Sequence, residues 1–181
     1  DAGGTIHLDS PVTGIKSESN TCQIVVGEKS QTVEHVWSTA PLTKLTEIIQ
    51  PKPDKSVLSA ASSLRVRGMV LAYLVLDQEQ YTQYDAHYLP SQETRIARLS
   101  EPKNYRNGDD PKDFTILCAE IPCWVNDDVW RSSSEKISEI VISDIEKLGL
   151  PKPRYVETHT KRLPSVYPVF ERDTMNDRKT L

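Results

Sequence analysis

Hydrophobic and polar positions along this chain repeat mostly with a period of two. The clearest run is 62–76 (SSLRVRGMVLAYLVL). Read as a strand, it sends alternate side chains to opposite faces. Leu64, Val66, Val70, Ala72, Leu74 and Leu76 share one face, which is apolar throughout. Arg65, Arg67, Met69, Leu71, Tyr73 and Val75 share the other, cationic at its start and apolar further on. The pattern predicts a strand buried on both sides over its second half and open to a polar space at its beginning. Gly68 sits where the character changes, and a glycine inside a strand often marks a bulge or a close approach by a ligand or another backbone.

Around that run the same reasoning predicts short strands at 5–8, 12–16, 22–26, 32–37, 86–89, 94–99, 114–121 and 155–161. The turn at 27–30 reads as a hairpin, and 163–170 extends the last strand. Two helices interrupt them. Leu42, Leu45, Ile48 and Ile49 recur at helical spacing after Pro41, with Ser38 or Thr39 as candidate caps and Pro51 and Pro53 as the stop. Ile137, Ile140, Val141, Ile145 and Leu148 form an apolar stripe over 132–148. There Ser132 and Glu135 have capping-box spacing, and Gly149 fits the position after the last turn. A helical turn is expected at 57–61, a turn-rich loop around Asn107 and Gly108, and Pro122 as the end of its strand. Strands dominate, with helices inserted. The expected fold class is α+β, a mixed, mainly antiparallel sheet with helices packed on one face.

Composition narrows the function classes. The 181 residues are 37% hydrophobic and 27% charged, with net charge −4. A mildly acidic chain gives no general reason to expect nucleic acid as a partner. No apolar run reaches the roughly 18 residues of a transmembrane segment. Cys22, Cys118 and Cys123 match no zinc or redox spacing, so reduced thiols in a cytoplasmic protein are expected. His7, His35, His87 and His159 are scattered, so no metal site is expected. The chain opens on Asp1 rather than Met, and it reads as part of something longer.

Candidate chemistry is sparse. Arg65, Arg67, Arg95 and Arg98 would make a cationic patch for a carboxylate or phosphate if their strands paired on one face. Four solvated arginines are the other reading. Glu120 lies in an apolar strand and needs a partner if buried, an arginine being the obvious one. No GxGxxG or GxxxxGK[ST] occurs.

The order of these pieces carries a resemblance. The pair Gly3-Gly4 with Thr5 and Ile6, the stretch 12–15 (VTGI), and 33–42 (VEHVWSTAPL) follow one another as in the FAD-dependent amine oxidase and protoporphyrinogen oxidase superfamily, to which UDP-galactopyranose mutases are related. The run 64–76 resembles that family's arginine-glycine strand. The stretch 87–102 (HYLPSQETRIARLSEP) resembles its tyrosine-leucine-proline hairpin. The segment 117–130 and the pair Tyr167-Pro168 are similar to its later motifs. Val66 stands where the family often has an aromatic residue, which leaves the subfamily open.

The resemblance implies the middle segment of a flavoenzyme. Residues 1–56 would adjoin the FAD-binding part, 57–170 would be the substrate-binding domain, and 171–181 a disordered tail. Arg65, Arg67, Tyr73, Tyr88, Arg95 and Arg98 would wall the substrate. FAD would belong to the full-length parent, with none bound by this segment alone. The partners would be the missing FAD-binding segments of the same polypeptide and a small-molecule substrate. The segment would not turn over by itself. A sugar-nucleotide mutase and a stand-alone ligand-binding module are the alternatives.

Overall fold

The computed structural model describes residues 3–106, 108–172 and 174–181, without the side chains of Met175 and Arg178. Asp1, Ala2, Asp173 and the Asn107 position of the predicted turn lie outside the described residues. The chain divides into two compact units, Asp1–Arg65 with Val169–Leu181, and Val66–Pro168. The fold is α+β, as expected, but with two sheets rather than one.

In the first unit β1 (Val12–Ser17), β2 (Cys22–Val26) and β3 (Lys29–Val33) form an antiparallel meander. The two-residue β4 (Ile49–Gln50) pairs parallel with β1, so this sheet is mixed. The hairpin is tighter than expected. Val26 pairs Lys29 directly, and Gly27 takes the left-handed backbone (φ 59°) that a two-residue loop demands. That pulls β3 three residues forward of the predicted 32–37. Residues 5–8 are not a strand. Helix α1 (Leu42–Ile48) follows the predicted stripe, but Pro41 itself is its N-cap and no side chain caps it. Helix α2 (Lys55–Ser63) is longer than the single turn expected. Helix α5 (Met175–Thr180) lies against α2, where Ser63 Oγ donates to Asp177 Oδ2 at 2.7 Å.

The second unit is built on the central strand. The five-stranded sheet has the order β6-β7-β8-β5-β9, with β5 (Arg65–Leu76), β6 (Ala86–Tyr88), β7 (Arg98–Ser100), β8 (Thr115–Cys123) and β9 (Tyr155–Val169). β5 pairs antiparallel with β8 over nine positions, Gly68↔Cys123 to Leu76↔Thr115. The predicted faces hold. Val70, Ala72, Leu74 and Leu76 join Leu99, Leu117, Ala119 and Ile121 in the core. Helix α4 (Ser134–Lys147) closes that core with Ile137, Val141 and Ile145, all fully buried. Each such side chain stabilises the fold by roughly 1.5–3 kcal/mol. Its cap is Ser133, which accepts from the Lys136 N–H, one residue later than Ser132. Short α3 (Asp128–Arg131) is capped by Asp127.

In this sheet β7 and β8 depart from expectation. β7 starts at Arg98, so Arg95 lies on a loop and not in a strand. β8 runs through Pro122 rather than ending at it. β9 is one 15-residue strand at the sheet edge and carries Pro164 and Pro168, which an edge tolerates. Gly68 explains its own place. A Cβ there would lie 2.9 Å from the Leu163 carbonyl oxygen and 3.0 Å from the Trp130 ring. The close approach is by another backbone.

Candidate functional site

Strand alternation turns a second set of side chains away from α4. Register places them in rows across four strands. Tyr88, Arg98, Glu120 and Leu71 form one row; Ala86, Ser100, Cys118 and Tyr73 form the next. This outer face carries Tyr73, Tyr88, Arg98, Ser100 and Glu120. Tyr88 is 74% exposed, whereas Glu120 is only 8% exposed. A carboxylate buried to that degree needs a cation, and Arg98 is it. Arg98 Nε donates to Glu120 Oε1 at 2.9 Å, and Nη2 donates to the same oxygen. The guanidinium carbon stands 6.0 Å from the Tyr88 ring centroid. The Glu120 hydrogen bond, and after it Tyr88, hold Arg98 in its charged form against the opposing pull of burial.

In the second row burial first, then the neighbouring Cys118, pushes the Tyr73 phenol up. Burial and then Glu120 push the Cys118 thiol up. Both groups therefore stay neutral near pH 7, as hydrogen-bonding wall rather than nucleophile or base. Beyond Tyr73 and Val75 the face opens into a slot of about 250 Å³, with Phe114 and Ile116 among its apolar walls. The loop closing it is tied by Arg106 to Asp110 at 2.6 Å and by Lys103, which donates to the carbonyls of Glu79, Pro111 and Phe114. The arrangement can orient an amphipathic small molecule, with aromatic and apolar surface beside one anchored cation.

The six residues expected to wall the substrate fall in different settings. Tyr73, Tyr88 and Arg98 share the outer face. Arg65 pairs with Glu171 at 2.7 Å within the first unit. Arg67 and Arg95 meet at a separate cleft of about 390 Å³. Within the second unit, Arg98 pairs with Glu120 while Arg67 and Arg95 line that cleft, so these three do not make one patch. Sequence reasoning missed Cys118 and Ser100 as members of the outer face, since only register places them there. It also missed Glu101, fully buried, which accepts from the Tyr81 and Thr82 N–H groups at 2.9 and 2.8 Å and from Thr115 Oγ1. Glu101 sits in a polar, turn-rich stretch, and nothing in its spacing marks it.

A dinucleotide cofactor needs a glycine turn where backbone N–H groups meet the pyrophosphate. The glycines here serve other ends. Gly14 packs on Val25, Gly27 makes the hairpin, Gly68 admits Leu163, and Gly149 (φ 69°) ends α4. Gly3-Gly4 leads into neither a strand nor a helix. Among the described residues no group of three or more His, Cys, Asp or Glu could hold a metal ion, and no helix is long and apolar enough to cross a membrane.

Comparison with known proteins fits this picture. Three solved structures share the fold. A putative protoporphyrinogen oxidase from Exiguobacterium sp. 255-15 is 18% identical, with TM-score 0.57 over 94% of this chain and 38% of its own. A reduced UDP-galactopyranose mutase is 15% identical, with TM-score 0.65 over 94% of this chain and 37% of its own. A putrescine oxidase solved with putrescine bound is 12% identical, with TM-score 0.62 over 92% and 38%. This chain thus spans less than two-fifths of each. No curated protein matches it. The pattern described as "Flavin containing amine oxidoreductase" matches residues 1–171. With nearly its whole length matched, the chain belongs to the flavin-containing amine oxidoreductase family.

Proposed function

We propose that this chain is the substrate-binding segment of a larger FAD-dependent oxidoreductase of the amine oxidase and protoporphyrinogen oxidase kind. The observation that carries the reading is the outer sheet face, where Tyr73, Tyr88 and Arg98 are set in register around Glu120. Such a face suits one task, orienting a small molecule against a cofactor that carries the redox chemistry. The pyrophosphate-binding residues would lie in other segments of the same polypeptide, so the segment alone would hold no FAD and turn over nothing. Unpaired cysteines fit a reducing, cytoplasmic setting. A sugar-nucleotide mutase would need cations ready for a diphosphate. The cation set beside Tyr73 and Tyr88, Arg98, is committed to Glu120, which favours the oxidoreductase reading of that part of the face.

The full-length polypeptide decides it. Purified, it is expected to carry FAD by absorbance and to be reduced by an amine or a porphyrinogen, not by a UDP-sugar cycle. Tyr88→Ala should lower kcat/KM about tenfold or more with FAD content unchanged. Full-length protein without flavin, or flavoprotein indifferent to Tyr88→Ala, would overturn the assignment. Isomerisation of UDP-galactopyranose would move it to the mutases.

A further inference from the structure

Buried polar atoms are nearly always hydrogen-bonded, and each exception calls for a cause. Among the described residues three buried side-chain atoms lack a partner: Arg67 Nε, Thr94 Oγ1 and Thr158 Oγ1. The first two belong to residues lining the same 390 Å³ cleft, which lies wholly in the second unit and has neither Tyr73, Tyr88 nor Arg98 in its lining.

The cleft exists because β7 is short. The Ala97 N–H donates to the Glu120 carbonyl at 2.9 Å, and towards Thr94 the chain then leaves the sheet. The next β8 carbonyl pointing that way, two residues on, is that of Pro122. Arg67 Nη2 donates to it at 2.7 Å, doing what β7 no longer does. A gap is left beside Ile121–Cys123. Leu89, Ile96 and Val129 wall it with apolar surface. Arg95 stands at its mouth, with its backbone N–H held at 2.6 Å by Asp144, a carboxylate only 2% exposed. Arg67 is fixed twice, by Pro122 and by the Trp124 ring 5.8 Å from its guanidinium carbon. Asp127 also lines the cleft, but its two oxygens already accept the N–H groups of Trp124 and Trp130 at 3.0 and 2.9 Å. The lining holds two cations against one engaged carboxylate.

We propose that this cleft is a binding site for an organic monocarboxylate, its carboxylate taken by Arg67, Arg95 and the Thr94 hydroxyl and its apolar body packed on Leu89, Ile96 and Val129. The two orphaned donors are what such an acceptor satisfies. The excess of one positive charge and the apolar walls favour it over a phosphate dianion. A volume of 390 Å³ lies in the range of small-molecule sites. The proposal stands independently of the flavin reading, because it uses none of Tyr73, Tyr88 and Arg98, on which that reading rests.

The test is titration of the full-length polypeptide with benzoate and hexanoate, followed by methyl NMR at Ile96 and Ile121. Benzamide and inorganic phosphate are the controls. At least one carboxylate should saturate and move both methyls. Benzamide should bind about tenfold or more weakly, since a charge-assisted hydrogen bond is roughly twice a neutral one. Thr94→Val and Arg95→Gln should each weaken the carboxylate about five- to tenfold with the thermal midpoint unchanged. Neither carboxylate saturating, benzamide binding equally, phosphate binding more tightly, or both variants binding as wild type would each overturn the proposal. These outcomes are read without turnover, so they separate from any failure of the flavoenzyme assignment.

Discussion

Arg98 and Glu120 are unequal partners. The Arg98 side chain is 40% exposed and the Glu120 side chain 11%. Removing the arginine strands a nearly buried carboxylate, whereas neutralising the glutamate leaves a cation that can swing towards water. Arg98→Leu should therefore destabilise by about 1–3 kcal/mol. Glu120→Gln keeps an acceptor for Arg98 and should cost under about 1 kcal/mol. Urea unfolding of both variants checks the order; a costlier Glu120→Gln would contradict it. That Glu120 needs an arginine is readable from a carboxylate in an apolar run. Which arginine is not, because the pairing depends on where β7 begins. The alternation of Arg95 and Arg98 with Ile96 and Leu99 suggested one strand. In the fold only Arg98 enters the ladder, and Arg95 is set aside on a loop held by Asp144.

Elements were legible in proportion to their length. The α4 stripe and the two faces of β5 span enough residues for periodicity to decide them. β6 was expected at 86–89 and lies at Ala86–Tyr88, whereas three-residue β7 has almost no period to read and starts four residues later than expected. β8 shows a different limit. Proline ends a strand only where its missing N–H is needed, and on β8 the neighbouring ladder has already stopped at Glu120. Residues 5–8 alternate like a strand but pair with no strand among the described residues. Gly68 was legible as a point of close approach, although not that β9 is what approaches. Gly68→Ala would press a methyl into the Leu163 carbonyl and the Trp130 ring. It should cost about 1–3 kcal/mol by overpacking. Thermal unfolding of this variant measures it, and wild-type stability would mean that β9 yields freely.

At the scale of the molecule, the ordered series of loose motifs carried more than any single residue. It pointed to the family that the pattern over residues 1–171 establishes. The compact units part at Arg65, inside one continuous strand, where periodicity alone marks no boundary. The fold also sets an alkaline limit on stability. Burial and then Glu101 push the Tyr81 phenol from 10.0 up to about 12, and its hydroxyl donates to the Pro151 carbonyl at 2.6 Å. A pKa raised by folding favours the native state while the phenol is protonated. That contribution is whole below pH 10 and fades as pH climbs to about 12. Denaturant midpoints measured from pH 9 to 12 should fall, and the fall should be shallower in Tyr81→Phe. An identical slope in the variant would assign the loss to other groups.

The prolines of β9 have a consequence outside the folded chain. A bare, 15-residue sheet edge is a template on which a second molecule can add a strand, and then a third. Pro164 and Pro168 offer no N–H at their positions, and the exposed Lys161 places charge just before them. A neighbour arriving at this edge meets gaps in the ladder and a like charge of its own. The longest strand is thereby a poor seed for fibrous self-association, and replacing both prolines with valine is the change that would remove this protection.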